Sequence, residues 1–556
     1  MRSSFLQDLP ELGIAWRAQS APAPRSVLVN DGLAAQLGLD PQRLRTRTGA
    51  ALLTGTDLPA GTRPAALAYA GHQFGGWSPR LGDGRALLLG DLPDAAAGFP
   101  EAASPEAVAS PGPAAPGDAA DADVDAPARE TPDPASLREL HLKGIGRTPF
   151  ARGGADGNAV LGPMLREHVV GEFLHAVGIP TTRSLGVAAT GALVPRPDRA
   201  DPRRTVELPG AVLARVAHSH VRVGTFQYAL STGGPELVRR LAHWCITRHH
   251  PEAADAANPP LELYRRVVFA QARLVAAWEA VGFVHGVMNT DNMALSGQGI
   301  DYGPCAFLDA HDPDAVFSSI DRTGRYPYRN QAAAAQWNLA RCAEALLPVL
   351  DAEPDRAVDL AQEALAEFPP AYEAERLRLF AARIGLRVQG EAAAPSTAAA
   401  VEDLLGLMAQ HAADHTDTFG ALIPVAESGD PARADGHGSR GARPRAERAA
   451  EGTRDEPGAD PSPDPGLAAD PRFREWLARW HQLGPDPALM RRSAPRVVPR
   501  NHALQEALDA AEAGEIGPVL EILDAVSHPF EHRPGNTRLG APSGAQTRGF
   551  TTYCGT

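Results

Sequence analysis

Apolar positions recur at three- and four-residue intervals over residues 160–177, which predicts a helix that Gly178 and Pro180 close. The same spacing predicts helices at 235–249, 261–281, 331–350, 355–368, 371–384 and 401–411. Helical patterning returns over 467–556 and ends in the irregular tail RGFTTYCGT. The front of the chain reads differently. Residues 1 to about 96 alternate short apolar runs with turn signals, and the runs ELHLKG, 182–187 and 211–216 read as strands. The last two are separated by a polar loop rich in Asp, Arg and Pro. Residues 282–313 read as short strands and loops between helices. A strand-rich front with a helical back predicts an α+β chain in two lobes, and no repeat of solenoid period is present.

Two segments lack this patterning. Residues from about 97 to 136 are mostly Ala, Pro and Asp with no aromatic side chain, and residues 427–466 mix both charge signs with Pro and Gly. Neither buries enough apolar surface to offset its ordering entropy, so the first reads as a disordered insert and the second as a low-complexity linker. The predicted organisation is an N-terminal lobe over 1–230, a helical lobe over 231–426, the linker, and a helical extension over 467–556.

Composition refines this picture. The net charge is −14 over 556 residues, but residues 101–136 hold eight acidic residues and one arginine, so half of the charge belongs to the insert. The charge therefore gives no reason to expect a nucleic-acid partner. No apolar run is long enough for a bilayer and the N-terminus lacks a signal pattern, so the expectation is a cytoplasmic protein with no membrane association. Four cysteines, Cys245, Cys305, Cys342 and Cys554, are too far apart for a zinc set and too few for a disulfide scaffold.

The chain contains a single lysine, Lys143, among 53 basic residues. An ammonium is a compact point charge and a guanidinium a wide fork, so a tight phosphate clamp on a strand accepts only the first. Upstream, LGDGRALLLGD puts Gly82 and Gly84 at a turn between two strand candidates, with Arg85 projecting from it, as a phosphate loop needs. The helix that follows Lys143 carries Glu167, its candidate ion-pair partner. Further on, Asn289, Asp291, Asn292 and Asp301 offer hard oxygen ligands within a short span, the partial set that magnesium takes beside a nucleotide's phosphates. The same residues are also good Asx-turn formers.

This arrangement resembles the back half of a protein kinase, where H-R-D-x-x-x-x-N precedes a metal-binding Asp-Phe-Gly. His285 and Asn292 have that separation and Asp301-Tyr302-Gly303 stands in the second place, but Val287 replaces the catalytic aspartate. Asp291 sits beside the metal-binding asparagine and is an alternative proton acceptor. Arg215 and Arg222, seven residues apart in RVAHSHVRVG, have no counterpart in an ordinary kinase.

The blocks GHQFGGWSPRLGDGRALLLGD, LHLKGIGRTPFARGGADGNAVL, RVAHSHVRVGTF and GFVHGVMNTDNMALSGQGIDYGP are similar to the selenoprotein O family, which has a protein-kinase-like two-lobed fold. The resemblance implies a protein adenylyltransferase that binds ATP in a flipped orientation and moves AMP to Ser, Thr or Tyr hydroxyls of proteins, releasing pyrophosphate. It implies that Gly82, Gly84 and Arg85 form the phosphate loop, that Lys143 clamps phosphates with Glu167 as partner, and that Asp156 and Gly157 touch the nucleotide. Arg215 and Arg222 would hold the buried terminal phosphate, and Asp291 would accept the proton. Asn292 and Asp301 would bind Mg2+, with Mn2+ as an alternative. The chain reads GGADGN where the family has one residue fewer and an arginine in place of Asn158, which bears on the register of Asp156 and Gly157. Cys554 stands where the family carries a terminal selenocysteine or cysteine. The alternatives are a conventional protein kinase, with label passing from the γ-phosphate, and a silent pseudokinase scaffold, suggested by Val287.

Overall fold

The computed structural model describes residues 1–95, 133–198, 201, 203–388, 390–428, 464–531, 533, 539–540 and 550–553. Most of the predicted insert, nearly all of the predicted linker and Cys554 lie outside the described residues. The strands are β1 (Gly13–Ala15), β2 (Arg25–Val29), β3 (Ala65–Leu67), β4 (Gly71–Gln73), β5 (Gly76–Ser78), β6 (Ala86–Pro93), β7 (Leu137–Lys143), β8 (Ala159–Val160), β9 (Arg183–Pro197), β10 (Thr205–Ala217), β11 (Phe283–Val284) and β12 (Ala306–Phe307). The main sheet is antiparallel in the order β1-β3-β6-β7-β10-β9-β2, with β8 added to β10, and the rest of the described chain is mainly helical.

Alternation along β7 assigns its two faces. Leu140 and Leu142 join Leu87, Leu89, Val212, Ala214 and Val216 in a core covered by residues of the short helices Asp31–Gln36, Pro41–Arg45 and Arg47–Leu53. Glu139, His141 and Lys143 point to the other face, where Leu88, Leu213 and Val187 meet the helix Leu161–Ala176. That helix is buried almost all round, Arg166 and Glu167 included, because sheet and C-terminal helices cover it on different sides.

Several expectations shift. The front of the chain contains four helices in its first 53 residues, too short for a period to be read from their sequence. The turn expected between two strands at Gly82–Gly84 is not a simple hairpin, since β5 pairs with β4 and β6 with β3 and β7. The ascending strand is β3, and the chain between it and β6 folds into its own hairpin, β4–β5. β9 and β10 run well into the expected polar loop, because their outer ends face solvent and tolerate Arg, Glu and Pro. The helix expected at 235–249 begins at Val223 and kinks at Gly234–Pro235, and a helix at His415–Ser428 joins those read from the pattern.

Near the C-terminus, Thr552 is buried and clips onto the segment after Asp301. Its N–H donates to Phe317 O (2.8 Å), its hydroxyl donates to Pro304 O (2.5 Å), and its carbonyl accepts from Ser319 N (2.9 Å). Among the described residues no helix is long and apolar enough to cross a membrane.

Candidate active site

Lys143 ends β7 and is almost fully buried. Its ammonium donates to Glu167 Oε2 at 2.5 Å and also to Asp301. The other Glu167 oxygen faces Arg215 at 3.4 Å, so a single carboxylate links lysine to arginine. Burial favours a neutral Asp301 carboxyl, but the Lys143 ammonium, aided by Arg85 and Arg215, outweighs it and holds the carboxyl well below its usual range. Asp301 also sits in the left-handed region (φ 69°), which aspartate tolerates better than most side chains.

The strand register explains the next link. Arg215 lies directly opposite His141 in the β7–β10 ladder, and its Nη2 donates to His141 Nδ1 at 3.1 Å. His141 Nε2 lies 2.8 Å from Asp83 Oδ2. The other Asp83 oxygen pairs with Arg222 at 3.7 Å, and the Arg222 guanidinium lies over the Tyr69 ring at 4.3 Å. Burial works against the Asp83 charge, yet His141, Arg222 and the Leu67 N–H together bring it down to about 2. Burial dominates at His141 and lowers it to about 4, so the imidazole is neutral at physiological pH. Behind it, His220 stacks on His141 at 4.3 Å and pairs through Nδ1 with Glu139 Oε2 at 2.8 Å. Burial, with the nearby Asp91 charge, pushes the Glu139 carboxyl up to about 8.

Asp291 is the second focus. It lies on a single 3-10 turn, Thr290–Asn292, held from above by the β4–β5 hairpin. His72 N donates to Thr290 Oγ1 (2.7 Å), Phe74 N donates to Asn289 Oδ1 (2.9 Å), and Gln73 Nε2 donates to Asp291 Oδ2 (3.0 Å). Asn289 also accepts from the Tyr326 hydroxyl at 2.9 Å, so its side chain ties the loop together. Oδ1 of Asp291 is buried with no hydrogen-bond partner. Burial raises the Asp291 carboxyl above its ordinary value, against the opposing pull of Gln73 and Arg222. A carboxylate with one oxygen anchored and one free is what a proton acceptor needs. Close packing fixes the turn: a Cβ on Gly224 would meet Ala70 O at 2.2 Å, and one on Gly71 would lie 3.4 Å from the Asp291 Cβ.

The glycine-rich segments divide by role. At Gly82 (φ 83°) a side chain would strike the Phe150 ring at 2.4 Å, and at Gly84 it would meet Ala151 Cα at 3.3 Å. Between them Asp83 N donates to Leu67 O, which pins the loop to β3. Arg85 follows at the start of β6, and its carbonyl accepts from Gly144 N at 2.8 Å. Gly157 (φ 73°) packs on Gly146 so closely that a Cβ would lie 2.3 Å from its carbonyl carbon. Asp156 is held by Arg196 of β9, whose guanidinium spans both carboxylate oxygens at 2.8 and 3.0 Å and also reaches Asn158 O at 2.9 Å. An arginine thus reaches this turn from another strand, although residue 158 is asparagine.

Asn292 donates through Nδ2 to Val287 O at 3.1 Å, so the valine in the kinase aspartate's place serves the loop through its backbone. His285 Nε2 meets Ile300 O at 2.9 Å, tying this loop to the Asp301 segment. Among the described residues no group of three or more His, Cys, Asp or Glu side chains forms a metal cage. An amide oxygen from Asn292 and an ionised carboxylate from Asp301 suit a hard cation that draws its remaining ligands from phosphates and water. Cys245, Cys305 and Cys342 are buried free thiols, and burial pushes Cys305 up to about 12.

The bonded chain therefore joins Lys143, Glu167, Asp301, Arg215, His141, Asp83 and Arg222, with Asp291 close enough to Arg222 for their charges to interact. His141, Asp83 and Gln73 do not follow from motif reading. One signal for His141 is visible: Glu139, His141 and Lys143 place an ionisable group at every second position, with Leu140 and Leu142 between them.

A family model described as protein adenylyltransferase SelO matches residues 11–99 and 130–510. A protein nucleotidyltransferase YdiU of a Mycobacterium species is 47% identical over 554 residues, covering 99% of this chain and 98% of that protein. Proteins of the same name from Pseudarthrobacter chlorophenolicus and Cereibacter sphaeroides are 47% and 42% identical, each match covering at least 97% of both chains.

Proposed function

Because the chain belongs to the protein adenylyltransferase SelO family, we propose that it transfers AMP from ATP to Ser, Thr or Tyr hydroxyls of protein substrates in the cytoplasm, within a kinase-like two-lobed fold. The observation that carries this reading is the bonded chain from Lys143 through Glu167 and Arg215 to Arg222, next to a carboxylate with one free oxygen. Lys143, Arg215 and Arg222 are balanced here by Glu167, Asp301 and Asp83, so they meet phosphates by exchanging a carboxylate partner for a phosphate oxygen.

In this reading Arg215 and Arg222 grip the terminal phosphate deep in the site, while Gly82, Gly84 and Arg85 border the phosphates and Asp156 and Gly157 border the nucleoside. The α-phosphate then faces the incoming hydroxyl. The hydroxyl oxygen bonds to the α-phosphorus, the bond to the pyrophosphate oxygen breaks, and the hydroxyl proton passes to Asp291 Oδ1. Lys143, freed from Asp301, and the two arginines meet the charge that builds on departing pyrophosphate. Asn292 and Asp301 would hold Mg2+, or Mn2+ in its place, which supplies further charge neutralisation at the phosphates when bound.

Incubation with ATP labelled at the α- or γ-phosphate tests the reading, with intact mass as a second readout. Magnesium-dependent α-label on protein is expected. Label from the γ position alone would make the protein a kinase, and no label on any protein, itself included, would leave a nucleotide-binding scaffold.

A further inference from the structure

Arg215 and Arg222 are joined through two residues to which no role has yet been given, His141 and Asp83. Arginine has no acceptor, so the nitrogen of His141 facing Arg215 must be the lone-pair nitrogen. The ring proton therefore resides on Nε2 and is donated to Asp83. Asp83 accepts that proton and the Leu67 N–H on Oδ2, and turns Oδ1 to Arg222. Each link is buried: His141 shows no exposed surface, and Asp83, Arg215 and Arg222 each keep 5% or less. One tautomer and one carboxylate thus fix the separation and aim of the two guanidinium groups. The stack with His220, itself tied to Glu139, prevents the imidazole from tilting.

We propose that the Asp83–His141 pair is a positioning device that sets the gap between Arg215 and Arg222, and so selects a nucleotide that carries a terminal phosphate over one that lacks it. Neither residue touches the substrate in this scheme. The inference rests on the two arginines gripping that phosphate, as proposed above. Both residues reach the site from segments placed for other reasons, Asp83 from the glycine-rich loop and His141 from the lysine strand. The same pair therefore ties the phosphate loop to the arginine strand.

Calorimetric titration with α,β-methylene-ATP, whose bridging carbon blocks pyrophosphate release, and with AMP separates positioning from simple loss of structure. His141→Leu removes both bonds of the imidazole, and its affinity for the triphosphate analogue should fall about tenfold or more, with AMP binding held within about twofold. His141→Gln offers an amide oxygen to Arg215 and an amide N–H to Asp83, and should recover most of the loss. Asp83→Asn keeps the side chain's shape and its acceptor for the Leu67 N–H, and should show the same selective loss through Arg222. Equal losses for both ligands, or no loss in His141→Leu, would overturn the proposal while the wild-type protein still prefers the triphosphate. A wild-type protein with no preference for the triphosphate over AMP would remove the phosphate-gripping role of the arginines and this inference with it.

Discussion

At Asp291 one side-chain amide sets the state of the acceptor. Burial raises its carboxyl, and the hydrogen bond from Gln73 Nε2 favours the charged form and pulls it back. A base works only when deprotonated, so activity is lost as pH falls through its pKa. Gln73→Leu removes the stabilising donor, and the acidic limb of the kcat/KM profile should move up by about one pH unit. An unmoved limb would mean that Gln73 does not act on Asp291. Lys143→Arg carries the opposite lesson, that charge alone is not enough. The ammonium fits between Glu167 and Asp301 in a nearly closed space, and a planar fork cannot make both contacts. About a hundredfold or greater loss of transfer is expected; activity within a few fold of wild type would show that the space is more forgiving. Lys143 and Glu167 were legible from sequence because a single lysine on a strand before a helical glutamate is a rare pattern. Gln73 was not, since nothing local in GHQFGG says that its amide reaches a carboxylate 218 residues away.

At the scale of elements, β7 carries three ionisable side chains on its site face, and Glu139 makes that strand sensitive to pH. Its carboxyl ionises near 4.5 in an unfolded chain and near 8 in the fold. Between those values the folded protein binds a proton that the unfolded chain lacks, so this group lowers stability as pH rises from 5 to 8. Glu139→Gln removes the contribution, and the fall in Tm between pH 5 and pH 8 should shrink by a few degrees relative to wild type. An unchanged difference would show that Glu139 stays ionised. The strand itself was legible through its leucine alternation, and so were the long amphipathic helices. The short front helices and the β4–β5 hairpin were not, because three to seven residues are too few to display a period. The true ends of β9 and β10 escaped for a different reason: pairing with each other satisfies their backbone even where the side chains are polar.

For the whole molecule, distant parts of the sequence close around the segment that follows Asp301. Thr552 holds that segment by four hydrogen bonds, one of them from Ser319 N. Deletion of residues 550–556 should leave the rest of the fold in place and raise hydrogen exchange at the Ser319 amide by at least about tenfold. Unchanged protection there would mean that the tail is a passenger. The general order of a strand-rich front and a helical back was readable from the chain. The closure of residue 552 on residues 304–319 was not, because contacts over such separations leave no local pattern.

The placement of the cations on β7 and β10 has a kinetic side. Both are interior strands, each paired along both edges, so Lys143 and Arg215 separate only if the sheet itself opens. The Asp291 turn, by contrast, is capped by a three-residue-per-strand hairpin with a few cross-links. Motion during turnover is therefore expected to fall on the hairpin rather than on the strands that carry Lys143 and Arg215. If departure of product past that cover limits the cycle, turnover should slow in proportion to solvent viscosity in the wild-type protein and lose that dependence once Lys143→Arg has made the chemical step slower. A viscosity-independent wild type would assign the slow step to bond making instead. A hairpin of three-residue strands would then govern how often the doubly paired strands behind it are used.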